Sequence, residues 1–365
     1  MKKLIDSLKY IKIKDIIAIF IFLFMIIPSL IFKIILKIQN KKVWLICEDG
    51  KTARDNGYHL FKYIRENHPT DNVYYVISKK SKDYKKVEKM GNIIEFKSLK
   101  HWLYYMSCDK NISSQKSGNP SAPLFYVLHV WLHLYNNRVF LQHGITKDDS
   151  KWLYYKNTKF KLFVCGAKAE YEYIKNNFGY KEKNVALLGF SRFDNLYNNE
   201  ANKKQILIMP TWRNWLGREK NNFSKVKFNL EKTLYFRKWN SLINNKNLIK
   251  FIEENNINII FYPHIHMHKY LKKFNSTSKN INIVGMEYDI QQLLKESSLL
   301  ITDYSSVYMD FAYMLKPVIY YQFDYEEYRK NHLQEGYYKY SKNSFGKLLS
   351  DEDDVVKAPL FDIFV

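Results

Sequence analysis

From Val43 onward the chain alternates short apolar runs, rich in Val, Ile, Leu and aromatic residues, with longer segments whose apolar positions recur at helical spacing. The runs Val43 to Cys47, Val73 to Ile77, Ile93 to Phe96, Val139 to Gln142, Leu162 to Cys165 and Val185 to Leu188 read as one series of strands. A second series comprises Ile206 to Met209, Ile257 to Tyr262, Ile281 to Val284, Leu299 to Ile301 and Val318 to Tyr321. Helices fit between them, as at Gly57 to Glu66, Ala167 to Asn176 and Asp289 to Glu296. Such alternation predicts an α/β protein with parallel sheets covered on both faces, and two series predict two Rossmann-like domains. Polar Asn195 to Lys204 marks the join, giving domains over 43–195 and 196–350 and an acidic tail over 351–365. Gly217 to Asn245 reads as a polar insertion carrying its own helix.

Residues 1–42 follow another pattern. Ile16 to Phe32 is free of charge, with Lys9, Lys12 and Lys14 before it and Lys33, Lys37, Lys41 and Lys42 after it. Its length sits at the lower limit of the roughly 17 to 25 residues that cross a bilayer. Pro28-Ser29 is expected to kink it, leaving Leu30 to Ile38 to lie along a membrane face. No small-residue cleavage site follows, which argues against a signal peptide. The segment reads as a membrane anchor, spanning or half-inserted, that holds a cytosolic enzyme against the inner leaflet. A helix hairpin buried in the soluble fold is the alternative.

Composition then narrows the partners. The chain carries 58 Lys and Arg against 36 Asp and Glu, a net charge of +22, which calls for an anionic partner or surface. The lysines are dispersed and no zinc-finger spacing accompanies them, so nucleic acid has only charge behind it and is not expected. An anionic membrane surface or a phosphorylated polymer meets the same charge. Cys47, Cys108 and Cys165 are far apart, each in or beside an apolar run, and read as reduced core residues.

Candidate chemistry gathers at strand ends. His143-Gly144 follows the run ending at Gln142, where an imidazole of near-neutral pKa can take a proton from a hydroxyl, or simply bond to its turn. Thr211 and Arg213 end another run, and Arg there suits bidentate contact with phosphate or packs over Trp212. His264, His266 and His268 alternate after Tyr262, but alternate positions and the lack of a neighbouring carboxylate or Cys disfavour a metal site. His264, nearest the strand, is the best donor to a phosphate oxygen. Arg192, in Gly189-Phe190-Ser191-Arg192, faces an interdomain cleft or pairs with Asp194. In Leu299 to Tyr321 a strand, a polar turn, a helix and a second strand follow closely, with Thr302, Asp303, Ser305 and Ser306 at the turn. That turn is either a helix cap by Ser305 or Ser306 or a phosphate site. Val307, Phe311, Met314 and Leu315 give the helix its expected buried face, and Lys316-Pro317 its stop. No Walker loop or GxGxxG fingerprint is present.

Taken together, Gln142-His143-Gly144 with Lys147-Asp148, Pro210-Thr211-Trp212-Arg213, Pro263-His264, Thr302 to Ser306 through Asp310-Phe311, and Lys316 to Ile319 resemble the CDP-glycerol glycerophosphotransferase family. These are the teichoic acid primases and polymerases and their capsule-pathway relatives. The resemblance runs from about Val43 to about Gly346 and implies a GT-B fold, two Rossmann-like domains facing a cleft. It also implies transfer of glycerol phosphate from CDP-glycerol, or ribitol phosphate from CDP-ribitol, to a lipid-linked or polymeric acceptor, with release of CMP at the cytoplasmic membrane face. By this resemblance His143 is the catalytic base and His264 a second essential His at the donor diphosphate. Gly144, Arg192, Thr211, Arg213, Thr302, Asp303, Ser305, Ser306 and Asp310 are the candidate donor contacts, and no metal or other cofactor is expected. Relatives usually continue into a further helix beyond Gly346, so the 351–365 tail reads as a shortened end. A GT-B glycosyltransferase using a nucleotide sugar and a non-catalytic membrane protein that binds anionic polymer are the competing readings.

Overall fold

The computed structural model describes residues 13–196, 204–216 and 229–358. It divides into two units, one of residues up to Ile145 plus Lys151–Asn195, the other of Thr146–Ser150 plus Leu196 onward. The main crossing at residues 195 and 196 falls where the polar join was expected, although residues 197–203 of that join lie outside the described ones. The transfer of Thr146–Ser150 to the second unit has no counterpart in the sequence reading.

The first unit is built on strands β1 (Val43–Ile46), β2 (Asn72–Ile77), β3 (Ile93–Glu95), β4 (Lys110–Ser113), β5 (Arg138–Phe140), β6 (Leu162–Cys165) and β7 (Val185–Leu187). They form one sheet in the order β3-β2-β1-β4-β5-β6-β7, parallel throughout. Alternation along the central strands feeds two cores. Leu45, Cys47 and Val76 pack with Trp102, Tyr105 and Phe125 on one face, whereas Ile46, Tyr75 and Ile77 pack with Phe61 and Ile64 on the other. All three cysteines are buried and unpaired, as expected of core thiols.

The second unit holds β8 (Gln205–Met209), β9 (Asn258–Phe261), β10 (Ile281–Ile283), β11 (Leu299–Thr302), β12 (Val318–Tyr321) and β13 (Lys347–Leu349). Their order is β10-β9-β8-β11-β12-β13, again all parallel. Every residue of β8, β11 and β12 is buried, the continuous apolar pattern of strands covered on both faces. In each sheet the strand order reverses beside the first strand of its series, between β1 and β4 and between β8 and β11. Ligands of open α/β sheets sit outside such switch points, at the strands' carboxyl ends.

Three expectations are corrected, and that of a helix in the insertion is met. Residues 13–38 form one unbroken helix through Pro28, and it belongs to the first unit rather than to a separate anchor. Ala18, Met25, Ser29 and Leu36 are its buried residues, and Ser107 of the Leu99–Ser107 helix donates to the Ser29 carbonyl at 2.9 Å. Phe20, Leu23, Phe24, Ile27, Ile31 and Ile34 are exposed. The 351–365 tail is likewise no appendage: Glu352–Lys357 is helical and Val355, Val356 and Ala358 join the second core, while residues 359–365 lie outside the described ones. The insertion does carry a helix, Leu234–Leu242, but residues 217–228 of it lie outside the described ones. Finally, the Val307–Tyr313 helix buries Tyr308, Met309, Asp310 and Phe311, whereas Leu315 is 94% exposed with φ 58°. The helix stops two residues before Leu315, so helical spacing no longer governs where that side chain points.

Candidate active site

At the first switch point the chain brings together segments far apart in sequence. Gln142, just past β5, takes φ 64° and turns its amide inward, donating to the Val164 carbonyl at 2.7 Å and to Glu170 at 2.9 Å. His143 is thereby left outward, its side chain 73% exposed. Its Nδ1 lies 2.5 Å from Asp55 Oδ2, and the Gln115 amide nitrogen is 3.1 Å from the same Nδ1. Nε2 has no partner among the described residues. Gly144 is half-buried beside it.

Asp55 and Glu48 were not singled out in the sequence. Asp55 caps the Asn56–Asn67 helix, its side chain accepting from Asn56 N at 2.8 Å. Glu48 lies buried just after β1 and accepts from the backbone N–H groups of Tyr58 at 2.9 Å, Asp55 at 3.0 Å and Arg54 at 3.3 Å. Burial and then the charge of Asp55 push Glu48 up to about 8, with those N–H groups opposing. Burial alone would raise Asp55 too, but His143 and then Arg192 outweigh it and hold the carboxyl below the usual range. The two neighbouring acids are thus shifted in opposite directions, Glu48 up and Asp55 down. Arg192 is buried, and its Nη1 donates to Asp55 Oδ1 at 3.0 Å and to the His143 carbonyl at 2.8 Å. It thereby joins the Asp55 carboxylate to the His143 backbone.

In the second unit the strand ends separate into a buried frame and a more open rim. Arg213 is fully buried, 0% exposed: Nε and Nη2 donate to Asp324 at 2.7 and 2.9 Å, Nη1 donates to the Thr211 carbonyl at 2.6 Å, and Nη1 also forms an ion pair with Asp303 at 2.9 Å. Asp303 accepts from Thr211 N at 2.9 Å and Tyr304 N at 2.6 Å, and Thr302 donates to the Met209 carbonyl at 2.7 Å. Arg213, Asp303 and Thr302 thus stitch β8 to β11, their polar atoms turned toward one another. Thr211 and Asp310 are buried as well.

Ser305, Ser306 and His264 remain half-buried at the rim. Ser305, rather than Ser306, accepts from Val307 N at 3.2 Å as the helix begins. The His264 backbone N–H donates to the Pro210 carbonyl at 3.0 Å, fastening the end of β9 beside β8. Its Nδ1 accepts from His266 N at 3.2 Å, so a neutral ring carries its proton on Nε2. His268 Nε2 is 2.9 Å from the Pro263 carbonyl. Among the described residues no three His, Cys, Asp or Glu are grouped as metal ligands. Lys147 and Asp148, buried, pair with one another, and Asp148 also accepts from Arg329 at 2.6 Å.

The family model for CDP-glycerol:poly(glycerophosphate) glycerophosphotransferase matches residues 29–359. The chain belongs to this family. Over 329 residues it is 37% identical to the minor teichoic acid biosynthesis protein GgaB of Bacillus subtilis (strain 168), covering 88% of this chain and 36% of that protein. It is 28% identical over 377 residues to the teichoic acid poly(glycerol phosphate) polymerase of Bacillus spizizenii, covering 91% of this chain and 86% of the polymerase. This chain therefore spans only about a third of GgaB's length but most of the B. spizizenii polymerase. Among solved structures, the wall teichoic acid polymerase TagF soaked with CDPG superposes with a TM-score of 0.60 at 17% identity, covering 87% of this chain and 79% of TagF. The fold of the family member described here is accordingly TagF-like, of the GT-B type.

Proposed function

We propose that this family member moves glycerol phosphate from CDP-glycerol to a hydroxyl of a polyol phosphate or lipid-linked acceptor and releases CMP. The observation that carries this reading is His143, an exposed imidazole at a strand's carboxyl end whose Nε2 has no partner among the described residues. His143 Nε2 takes the acceptor hydroxyl's proton as that oxygen attacks the β-phosphorus. The bond from the β-phosphorus to the bridging oxygen breaks, and CMP leaves with the electron pair. Positioning and charge stabilisation dominate such transfers, so the remaining work is electrostatic. The Nε2–H of His264 and the hydroxyls of Ser305 and Ser306 are the groups suited to the donor phosphates, with Arg213, Asp303 and Asp324 holding that rim in shape. To test the reaction, the protein is incubated with acceptor membranes and CDP-glycerol, CDP-ribitol or UDP-sugars, and the released nucleotide is identified. CMP from CDP-glycerol is expected. UDP from a sugar donor, or salt-sensitive polymer binding with no nucleotide release, would replace this reading.

We further propose that the chain rests on the cytoplasmic membrane face through the Ile13–Ile38 helix, lying in the membrane plane. That helix is long and apolar enough to cross a bilayer by length and composition. Its buried residues nevertheless run from Ala18 to Leu36, about 27 Å of helix laid on the first unit. A helix committed along that length to the protein's own surface offers its other face to lipid, with the chain's positive charge favouring anionic headgroups. Changing Phe20, Phe24, Ile27 and Ile31 together to Gln should weaken flotation with anionic vesicles by at least ~100-fold, given ~1.5 to 3 kcal/mol for fully burying each such side chain. Wild-type protein that resists alkaline carbonate extraction would mark a span instead.

A further inference from the structure

We propose that Asp55 is the positioning residue of this site, fixing the His143 ring with its proton on Nδ1 so that Nε2 is the basic nitrogen, and that Arg192 serves this carboxylate. The inference rests on the transfer reaction proposed above and deepens it.

A carboxylate accepts and never donates when ionised, so an Asp55 oxygen 2.5 Å from Nδ1 requires the proton to sit on Nδ1. The other oxygen is occupied as well, by Arg192 at 3.0 Å and by Asn56 N at 2.8 Å. Rotation of the carboxylate would cost bonds at both ends. The support is also tied to the base's own backbone. Arg192 Nη1 donates to the His143 carbonyl at 2.8 Å, the Asn56 amide donates to the Gln142 carbonyl at 2.9 Å, and Arg192 N returns to the Asn56 amide oxygen at 3.1 Å. Ser191 adds a bond to the Asn56 carbonyl at 2.6 Å. Three segments, 48–56, 142–143 and 191–192, therefore converge on one ring, the closed support that a preorganised base requires.

The charges around the ring give the pair a distinctive titration. His143 faces Asp55 from the helix cap, Arg192 from the segment after β7 and Glu48 from the turn after β1, with Gln115 as a neutral neighbour. The Asp55 charge raises the imidazole above its ordinary value, while the Arg192 charge opposes it. A general base works deprotonated, so the acid limb of kcat/KM should lie above the ordinary His value. Removing the Asp55 charge shifts the limb to lower pH; removing the Arg192 charge shifts it to higher pH. A purely structural role for either residue would not produce opposite displacements.

The experiment uses the full chain with ring-labelled histidine, assigning the His143 signal by its absence in His143→Ala. Asp55→Asn and Arg192→Gln are followed by NMR titration and by pH profiles of CMP release. In Asp55→Asn, the His143 midpoint and the acid limb should both fall, and plateau kcat/KM should drop at least ~10-fold, bounded by the ~10²- to 10⁴-fold worth of a general base. In Arg192→Gln both should rise. If CMP release proceeds and folded Asp55→Asn keeps the wild-type plateau and limb, the positioning role is overturned while the reaction stands. If no CDP-alcohol yields CMP with wild-type protein, the reaction fails, and the imidazole titration alone decides: an unmoved His143 midpoint in both variants overturns the pairing. Should Asp55→Asn not fold, Arg192→Gln carries the same test, a lowered or unmoved midpoint counting against it.

Discussion

Replacing His143 with alanine should slow CMP release by ~10²- to 10⁴-fold, the range a positioned base contributes, without abolishing it. The residual rate belongs to charge stabilisation and alignment of the donor, which phosphoryl transfer relies on more than on the base. Because the side chain is 73% exposed, its loss should leave the urea unfolding midpoint nearly unchanged. The remaining Asp55 carboxylate keeps Arg192 and the Asn56 N–H, so no buried charge is stranded. The effect should fall on kcat, with the donor concentration for half-maximal rate little altered, since proton transfer is needed only as the bond forms. A folded His143→Ala protein that turns over at the wild-type rate would move the base elsewhere.

Arg213→Met should have the opposite signature. Its guanidinium is enclosed at 0% exposure between Asp303 and Asp324, under the rings of Tyr304, Tyr235 and Tyr328. Removing one partner of such a buried cluster strands the others, at a typical cost of about 3–5 kcal/mol. Burial already pushes Asp303 up, with Arg213 the chief group opposing it, so the variant must fold with Asp303 protonated or fold poorly. Urea unfolding should show the loss directly, as a lowered midpoint in the absence of any substrate. Were Arg213 a ligand of the donor diphosphate, the midpoint would hold and the donor KM alone would rise. The two assignments therefore predict changes in different measurements.

The strands that build the two sheets were legible because most are covered on both faces and so read as unbroken apolar runs. β13 was not, being a short and largely exposed edge strand, nor was β4, which has only Ile112 as an apolar residue in Lys110–Ser113. Its Asn111 is accommodated in the sheet by bonds to the Tyr105 carbonyl at 3.1 Å and the Asn137 side chain at 2.9 Å, partners that exist only once the chain has folded. Missing β4 hides the first switch point, and with it the proximity of the turn after β1 to the end of β5. That is why Asp55, 88 residues from His143, passed unnoticed; its only local signal was that of a helix cap ahead of Asn56-Gly57. Polar residues at strand ends were visible as a class, and His143, His264, Ser305 and Ser306 stand at such ends. Which of them face outward was not visible, because pattern cannot separate an Arg that meets a ligand from one such as Arg213, sealed by two acids from β11 and β12 ends.

The five residues Thr146–Ser150 have a consequence for inheritance. They lie in the chain between two stretches of the first unit, yet Lys147 and Asp148 complete a charge cluster with Arg329, and a Cβ on Gly336 would come within 2.4 Å of the Lys147 carbonyl oxygen. Exchanging everything after residue 195 with a relative's sequence would therefore splice a foreign Arg and Gly surroundings onto a native Lys-Asp pair. Recombination between family members has a seam at residues 195 and 196 that looks clean on paper, but residues 146–150 have to travel with the second half. Chimeras that carry this short segment across should fold where simple half-swaps aggregate.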